Sequence, residues 1–285
     1  MTLGKIKFII FLFSLNLFTI VFAEVKITTT RSANNILRYT FNFFIIILNQ
    51  LLLFTDKLNV RGTILLNDKS IKKMKAIVIG ATGATGREIV NLLLKDSNFS
   101  NVSCFVRTTP NIKHEKLTIH KINFSKISEY KNLIAADVIF SALGTTVKNA
   151  GSKKQQYLVD YTYQYEFAKI ASENGVGLFS LVSSSGANEN SPFFYPKIKG
   201  SLEEAVKKLN FNKIQIFQPP VLIRQSDLIR SGEKSVIKAL RIFNKLGILK
   251  SQKPLAVENL ASKMISEVLL KNQDRTKTYG PKDLQ

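Results

Sequence analysis

A tyrosine and a lysine four residues apart, Tyr195 and Lys199, follow a run of serines at Ser183, Ser184 and Ser185. These are the parts of a site that passes a proton to or from a carbonyl oxygen. A phenol donates poorly near neutral pH, because its free pKa is about 10. A neighbouring ammonium helps by favouring the phenolate. Pro196 suits the first turn of a helix, and the four-residue spacing then puts Tyr195 and Lys199 on one helical face. A serine at the carboxyl end of a parallel strand sits where such folds place ligands. Ser183 is the first choice to bond and polarise a substrate carbonyl, Ser184 is the near alternative, and Ser185 before Gly186 reads as a turn.

Carbonyl chemistry of this kind needs a hydride carrier, and the segment Gly80-Ala81-Thr82-Gly83-Ala84-Thr85-Gly86 supplies a place for one. It follows the apolar run Lys75 to Ile79 and precedes a helical pattern starting at Arg87. That order of strand, glycine loop and helix presents free backbone N–H groups to a pyrophosphate. Gly80 permits the tight turn, and Gly83 and Gly86 permit close approach of ligand and helix. Ala84 lies in the same loop, while Thr82 and Thr85 add hydroxyls. After the second strand, where a carboxylate would serve the ribose hydroxyls of NAD, the chain has Val106-Arg107-Thr108. A guanidinium there suits a 2′-phosphate, and Arg87 at the helix start reinforces it. NADP is therefore expected ahead of NAD.

The elements that must position these residues alternate from Met74 onward. Strands are expected at Lys75–Ile79, Val102–Val106, Leu117–Ile122, Asp137–Ala142, Gly177–Val182 and Lys213–Phe217. Helices are expected at Arg87–Lys95, Ile127–Ile134, Gln155–Asn174 and Ser201–Leu209. The order predicts an α/β fold, a doubly wound parallel sheet of Rossmann type. After Pro219 and Pro220, residues 221–285 contribute two amphipathic segments, Glu233–Leu246 and Val257–Lys271, read as a small helical substrate lobe.

Other chemistries are excluded or weakened. There is no GxSxG elbow, and neither His114 nor His120 has the setting of a hydrolase triad. One cysteine, Cys104, and two histidines are too few for the usual zinc sets, so no metal is expected. The formal charge of +21 is spread along the chain in pairs at most, which reads as a solvated surface and not as a nucleic-acid site.

Residues 1–73 lack the β/α alternation. An apolar run from Phe8 to Phe22, ended by Ala23, fits a signal or anchor segment, with membrane association through residues 8–23. A second run, Phe41 to Phe54, is broken by Asn49 and Gln50. The favoured alternative is that Met74 is the initiating methionine, which points to a cytoplasmic enzyme.

GATGATGR, Ser141-Ala142-Leu143-Gly144-Thr145-Thr146, LVSSSGAN, YPKIKG and Gln218-Pro219-Pro220-Val221-Leu222 together resemble the atypical short-chain dehydrogenase/reductases of the Tat-interacting-protein oxidoreductase type. The likeness covers essentially all of Met74 to Gln285. It implies that Leu143 and Gly144 pass beneath the cofactor and that Pro220 and Val221 border the nicotinamide. Two departures stand out: Gln218-Pro219-Pro220 replaces the usual Arg-Pro-Gly, and Asn123 replaces an aspartate near the adenine, whose amino group Asn123 can still bond. Asn149-Ala150-Gly151 matches a motif of better-known short-chain enzymes but falls beyond the fourth-strand turn, as a coincidence would. The expectation is an NADPH-dependent oxidoreductase of a small carbonyl or alcohol, compatible with a homodimer. The alternative is an NADPH-binding regulator with little turnover. Sugar-nucleotide epimerisation is disfavoured by the short segment after Pro220.

Overall fold

The computed structural model describes residues 73–229, 233–245, 252–270 and 274–285. Both apolar runs of the first 72 residues, and with them the leader and anchor readings, lie outside the described residues.

Strand β1 (Met74–Ile79) leads into helix α1 (Ala84–Lys95), followed by β2 (Phe99–Val106), β3 (Leu117–Lys121), a 3-10 segment at Phe124–Leu133 and β4 (Val138–Ser141). Next come short helices α2 (Val147–Ala150) and α3 (Lys153–Tyr157), a π-helical turn at Leu158–Thr162 and α4 (Tyr163–Glu173). The chain continues through β5 (Leu178–Val182), α5 (Phe194–Lys207), β6 (Lys213–Phe217), the short β7 (Leu222–Ile223), α6 (Glu233–Lys245), β8 (Leu255–Ala256), α7 (Val257–Leu269) and β9 (Thr276–Tyr279).

The main sheet has seven strands in the order β3-β2-β1-β4-β5-β6-β9, every neighbouring pair parallel. Strand order reverses between β1 and β4, which makes the crevice above them the topological switch point where such sheets bind ligands. Both faces are covered, so the central strands are mostly apolar on both sides, with Ser141, Ser180 and Gln215 as buried polar residues among them. The strand period of two divides them between two cores. Ala76 and Val78 of β1 pack with Ile89, Val90 and Leu93 of α1 and with Leu260, Met264 and Val268 of α7. Ile77 and Ile79 face the other way, toward Phe167 and Ala171 of α4 and Leu202 and Val206 of α5.

Three differences from the sequence reading have physical causes. A seventh strand, β9, lies parallel to β6 on the sheet edge. Its sequence, Thr-Lys-Thr-Tyr, carries one buried side chain, Tyr279, and so lacks the apolar signature of the inner strands. Helix α5 starts at Phe194, seven residues before the expected Ser201, because Gly200 is an interior helix residue here and not a breaker. Of the two segments placed in the substrate lobe, Val257–Leu269 packs against α1 within the first core instead, and β7 and β8 form a separate two-stranded sheet.

Candidate active site and cofactor cleft

Gly80 has φ +83°, a conformation that favours glycine, and a Cβ there would lie 2.5 Å from the Ala142 carbonyl carbon and oxygen. The end of β1 and the end of β4 thus touch backbone to backbone. A Cβ on Gly86 would collide with the Gly80 carbonyl oxygen, so the first turn of α1 rests directly on the loop. Gly83 is the N-cap; its N–H donates to Gly80 O at 2.9 Å and its carbonyl accepts from Arg87 N at 2.9 Å. No side chain caps α1 and its first turn holds no acidic residue, leaving the positive helix end open to a phosphate.

A cavity of about 350 Å³ opens over this loop, with Gly80, Thr82, Gly83, Arg107, Leu143 and Gly144 among its lining residues. The residues expected from the ends of β1, β2 and β4 therefore meet at one cleft. Thr82 reaches the cavity wall, whereas Thr85 is buried in the helix. Asn149 and Ala150 also line the cleft. Two other residues go elsewhere. The Arg87 guanidinium donates to Asp227 at 2.8 Å, and that bond holds the exposed Asp227 carboxyl below its usual range. Asn123 spends its side-chain oxygen on the N–H of Ser125 as the cap of the 3-10 segment.

A second cavity, also about 350 Å³, lies at the carboxyl ends of β5 and β6, with Ser183, Ser184, Tyr195, Pro220, Val221 and Arg224 among its walls. Tyr195 is the second residue of α5 and is 40% exposed. The start of α5 sits close against the preceding loop. A Cβ on Gly200 would collide with the backbone of Asn188 and Glu189, and Asn188 N donates to Pro196 O at 3.0 Å.

Lys199 points inward and is 3% exposed, with Nζ 3.5 Å from Asp160 Oδ1 and 3.4 Å from the Val182 carbonyl, to which it donates. Asp160 is fully buried, and its Oδ2 accepts the Thr145 N–H at 3.0 Å. This aspartate ties the lysine to the cofactor-side loop after β4, and the sequence reading missed it. It sits in the π-helical turn, a distortion that recurs at functional sites. Gln156, Asp160 and Gln164 are all buried, spaced four apart on one face of the helix. Gln156 Nε2 donates to Thr145 O at 3.3 Å, and Gln164 Oε1 accepts from Ser141 Oγ at 2.7 Å. Three polar residues at helical period beside an apolar face were the available signal.

The serines separate by partner. Ser183 Oγ donates to Glu203 Oε1 of α5, and Gln218 Nε2 donates to both Glu203 oxygens at 3.0 and 2.9 Å. Ser184 Oγ donates to the Ser185 carbonyl at 3.1 Å, and Ser185 Oγ bonds with Gln252. Burial pushes the Cys104 thiol up to about 12, which leaves it unreactive. Among the described residues no His, Cys, Asp or Glu group is arranged to hold a metal.

A family profile described as NAD(P)H-binding matches residues 80–212. Protein FMP52, mitochondrial, of Candida albicans is 36% identical over 155 residues, 53% of this chain and 68% of that protein. FMP52-1 of Scheffersomyces stipitis is 35% identical, covering 62% and 76%; fmp52 of Emericella nidulans is 37% identical, covering 55% and 70%. All three are named mitochondrial, which overturns the cytoplasmic expectation drawn from a start at Met74. No helix among the described residues is long and apolar enough to cross a membrane. Among solved structures, WbmH of Bordetella bronchiseptica with NAD+ shares the fold at TM-score 0.56 and 16% identity, over 73% of this chain and 75% of that one. UDP-glucose 4-epimerase of Thermotoga maritima does so at TM-score 0.53 and 13% identity, over 73% and 77%. The glycine loop, the cleft above it and the matched relatives agree: the chain belongs to the FMP52 family and is an NAD(P)-binding protein of the atypical short-chain dehydrogenase/reductase type.

Proposed function

We propose that the protein is an NADPH-dependent oxidoreductase that moves a hydride to or from a small carbonyl or alcohol. The observation carrying this reading is the placement of two cavities on the carboxyl edge of one sheet. The glycine-loop cleft stands over β1 and β4, and the Tyr195 cavity stands over β5 and β6, with β4 and β5 adjacent.

When bound, the nicotinamide supplies the hydride. In the reduction direction, Tyr195 gives its proton to the substrate oxygen and Ser183 bonds that oxygen, with Ser184 beside it. Lys199, held by Asp160, is the ammonium one helical turn beyond Tyr195. Pro220 and Val221 give the cavity an apolar wall. Arg107 at the cleft supports NADP over NAD, since a guanidinium there pairs with a 2′-phosphate. The relatives' names support a mitochondrial location, to be checked by fractionation of cells carrying the untagged protein.

The decisive measurement uses Tyr195→Phe. Turnover in a carbonyl-substrate screen should fall at least about a hundredfold while NADPH binding stays unchanged. A Tyr195→Phe protein with wild-type turnover would refute the assignment. Tight NADPH binding with no turnover on any carbonyl, in the wild type as well, would favour a cofactor-binding regulator.

A further inference from the structure

Glu203 is a buried carboxyl with no place in the mechanism above. It is 4% exposed, lies one helical turn beyond Lys199, and contacts the serine read as the carbonyl donor. Its hydrogen-bond partners, Ser183 and Gln218, are both neutral. The charged groups around it are engaged elsewhere: Lys199 with Asp160, and Lys207 with Glu204 at 2.6 Å. On the β9 side, the Tyr279 hydroxyl donates to Glu267. Among the described residues Glu203 forms no ion pair.

Glu267 shows what a cation changes. Burial opposes its charge, but Lys263 at 2.7 Å and Tyr279 at 2.7 Å bond to it, with help from the charge of Lys277, and hold the carboxyl below its usual range. Glu203 shifts the opposite way. Burial pushes it up, and the bonds from Ser183 and Gln218 and the charge of Lys207 do not reverse that.

A serine hydroxyl has one proton to donate. With Glu203 ionised, that proton is committed to the carboxylate, and Ser183 cannot also donate to a substrate. With Glu203 protonated, the carboxyl O–H donates to Ser183 Oγ and the serine proton is released toward the cavity. We propose that Glu203 is a positioning residue that works in its protonated form, donating to Ser183 Oγ and so aiming the Ser183 proton at the substrate oxygen. The inference rests on Ser183 being the carbonyl donor.

The test uses the full chain loaded with NADPH. At pH 7 the infrared spectrum of the wild type should contain the carbonyl stretch of a protonated carboxylic acid, and Glu203→Gln should lack it. Absence of that band in the wild type overturns the proposal whether or not a substrate has been found. In turnover, kcat should fall above the pH at which Glu203 ionises, with KM little changed. Glu203→Gln should abolish that limb, because its amide donates to Ser183 Oγ at every pH. Gln218→Arg should hold the carboxyl ionised, shift the limb to lower pH and reduce kcat at pH 7 by about a hundredfold, the effect of losing one oxyanion donor. A wild-type pH profile in both variants refutes the role of Glu203. Unchanged kcat in Ser183→Ala refutes the serine assignment instead, so the two failures are distinguishable.

Discussion

Asp160→Ala removes the carboxylate from a pair in which Lys199 is 3% exposed and Asp160 is fully buried. A lone charge left in the interior costs about 3–5 kcal/mol. Shedding the proton is the other way out. For an ordinary lysine of pKa about 10.4, deprotonation at pH 7 costs about 1.4 kcal/mol per pH unit, about 5 kcal/mol in all. The two routes are comparable, and neither lets the variant escape. The Thr145 N–H also loses its acceptor, adding about 1 kcal/mol. The expected loss, about 4–6 kcal/mol, approaches the whole stability of many domains. Asp160→Asn keeps an acceptor for Thr145 but not the charge, so it should lose less. Urea unfolding followed by circular dichroism at pH 7 and pH 9 separates the two routes. If the lysine is neutral in the folded variant, unfolding takes up a proton and stability rises with pH, by up to about 1.4 kcal/mol per unit across this window. A loss with no added pH slope means the ammonium stays charged. A change under about 1 kcal/mol at pH 7, with a wild-type pH response, would refute the view that this pair holds the lysine in place.

Gly86→Ala places a Cβ against the Gly80 carbonyl oxygen, and since both sides are backbone, no rotamer change relieves it. About 1–3 kcal/mol of strain should open the loop and weaken NADPH binding at least about tenfold by isothermal titration; unchanged affinity would refute the role of the loop. Arg107→Gln should weaken NADPH binding by roughly ten- to a hundredfold, the worth of a charge-assisted bond, and leave NADH binding unchanged. Equal effects on both cofactors would refute a 2′-phosphate contact. Glu203 has a raised folded-state pKa, so its stabilising proton is fully held below the unfolded carboxylate range and lost as pH rises through the folded value. Glu203→Gln should therefore gain stability relative to wild type as pH rises through that window in denaturant titrations, and a constant difference would refute the shift.

The parts legible in the sequence are those whose cause is local. A continuous apolar strand, a glycine at positive φ and the helix behind it lie within one short segment, so Gly80 to Gly86 announced the cleft. Arg107 was reachable because strand ends in a doubly wound sheet converge on the switch point whatever the intervening residues, while Gly144 came only from the family resemblance. Asp160 and Glu203 were not reachable that way. Each is an acid on a helix of a chain rich in charge, and what makes it informative is burial against a partner supplied by another element. For Asp160 those partners are Lys199 and the Thr145 N–H, while for Glu203 they are Ser183 and Gln218. Gln218, noticed first only as a departure from the usual arginine, becomes meaningful through the same contact. A neutral amide at that position leaves the buried Glu203 carboxyl without a counter-charge, in contact with Ser183 on its other side.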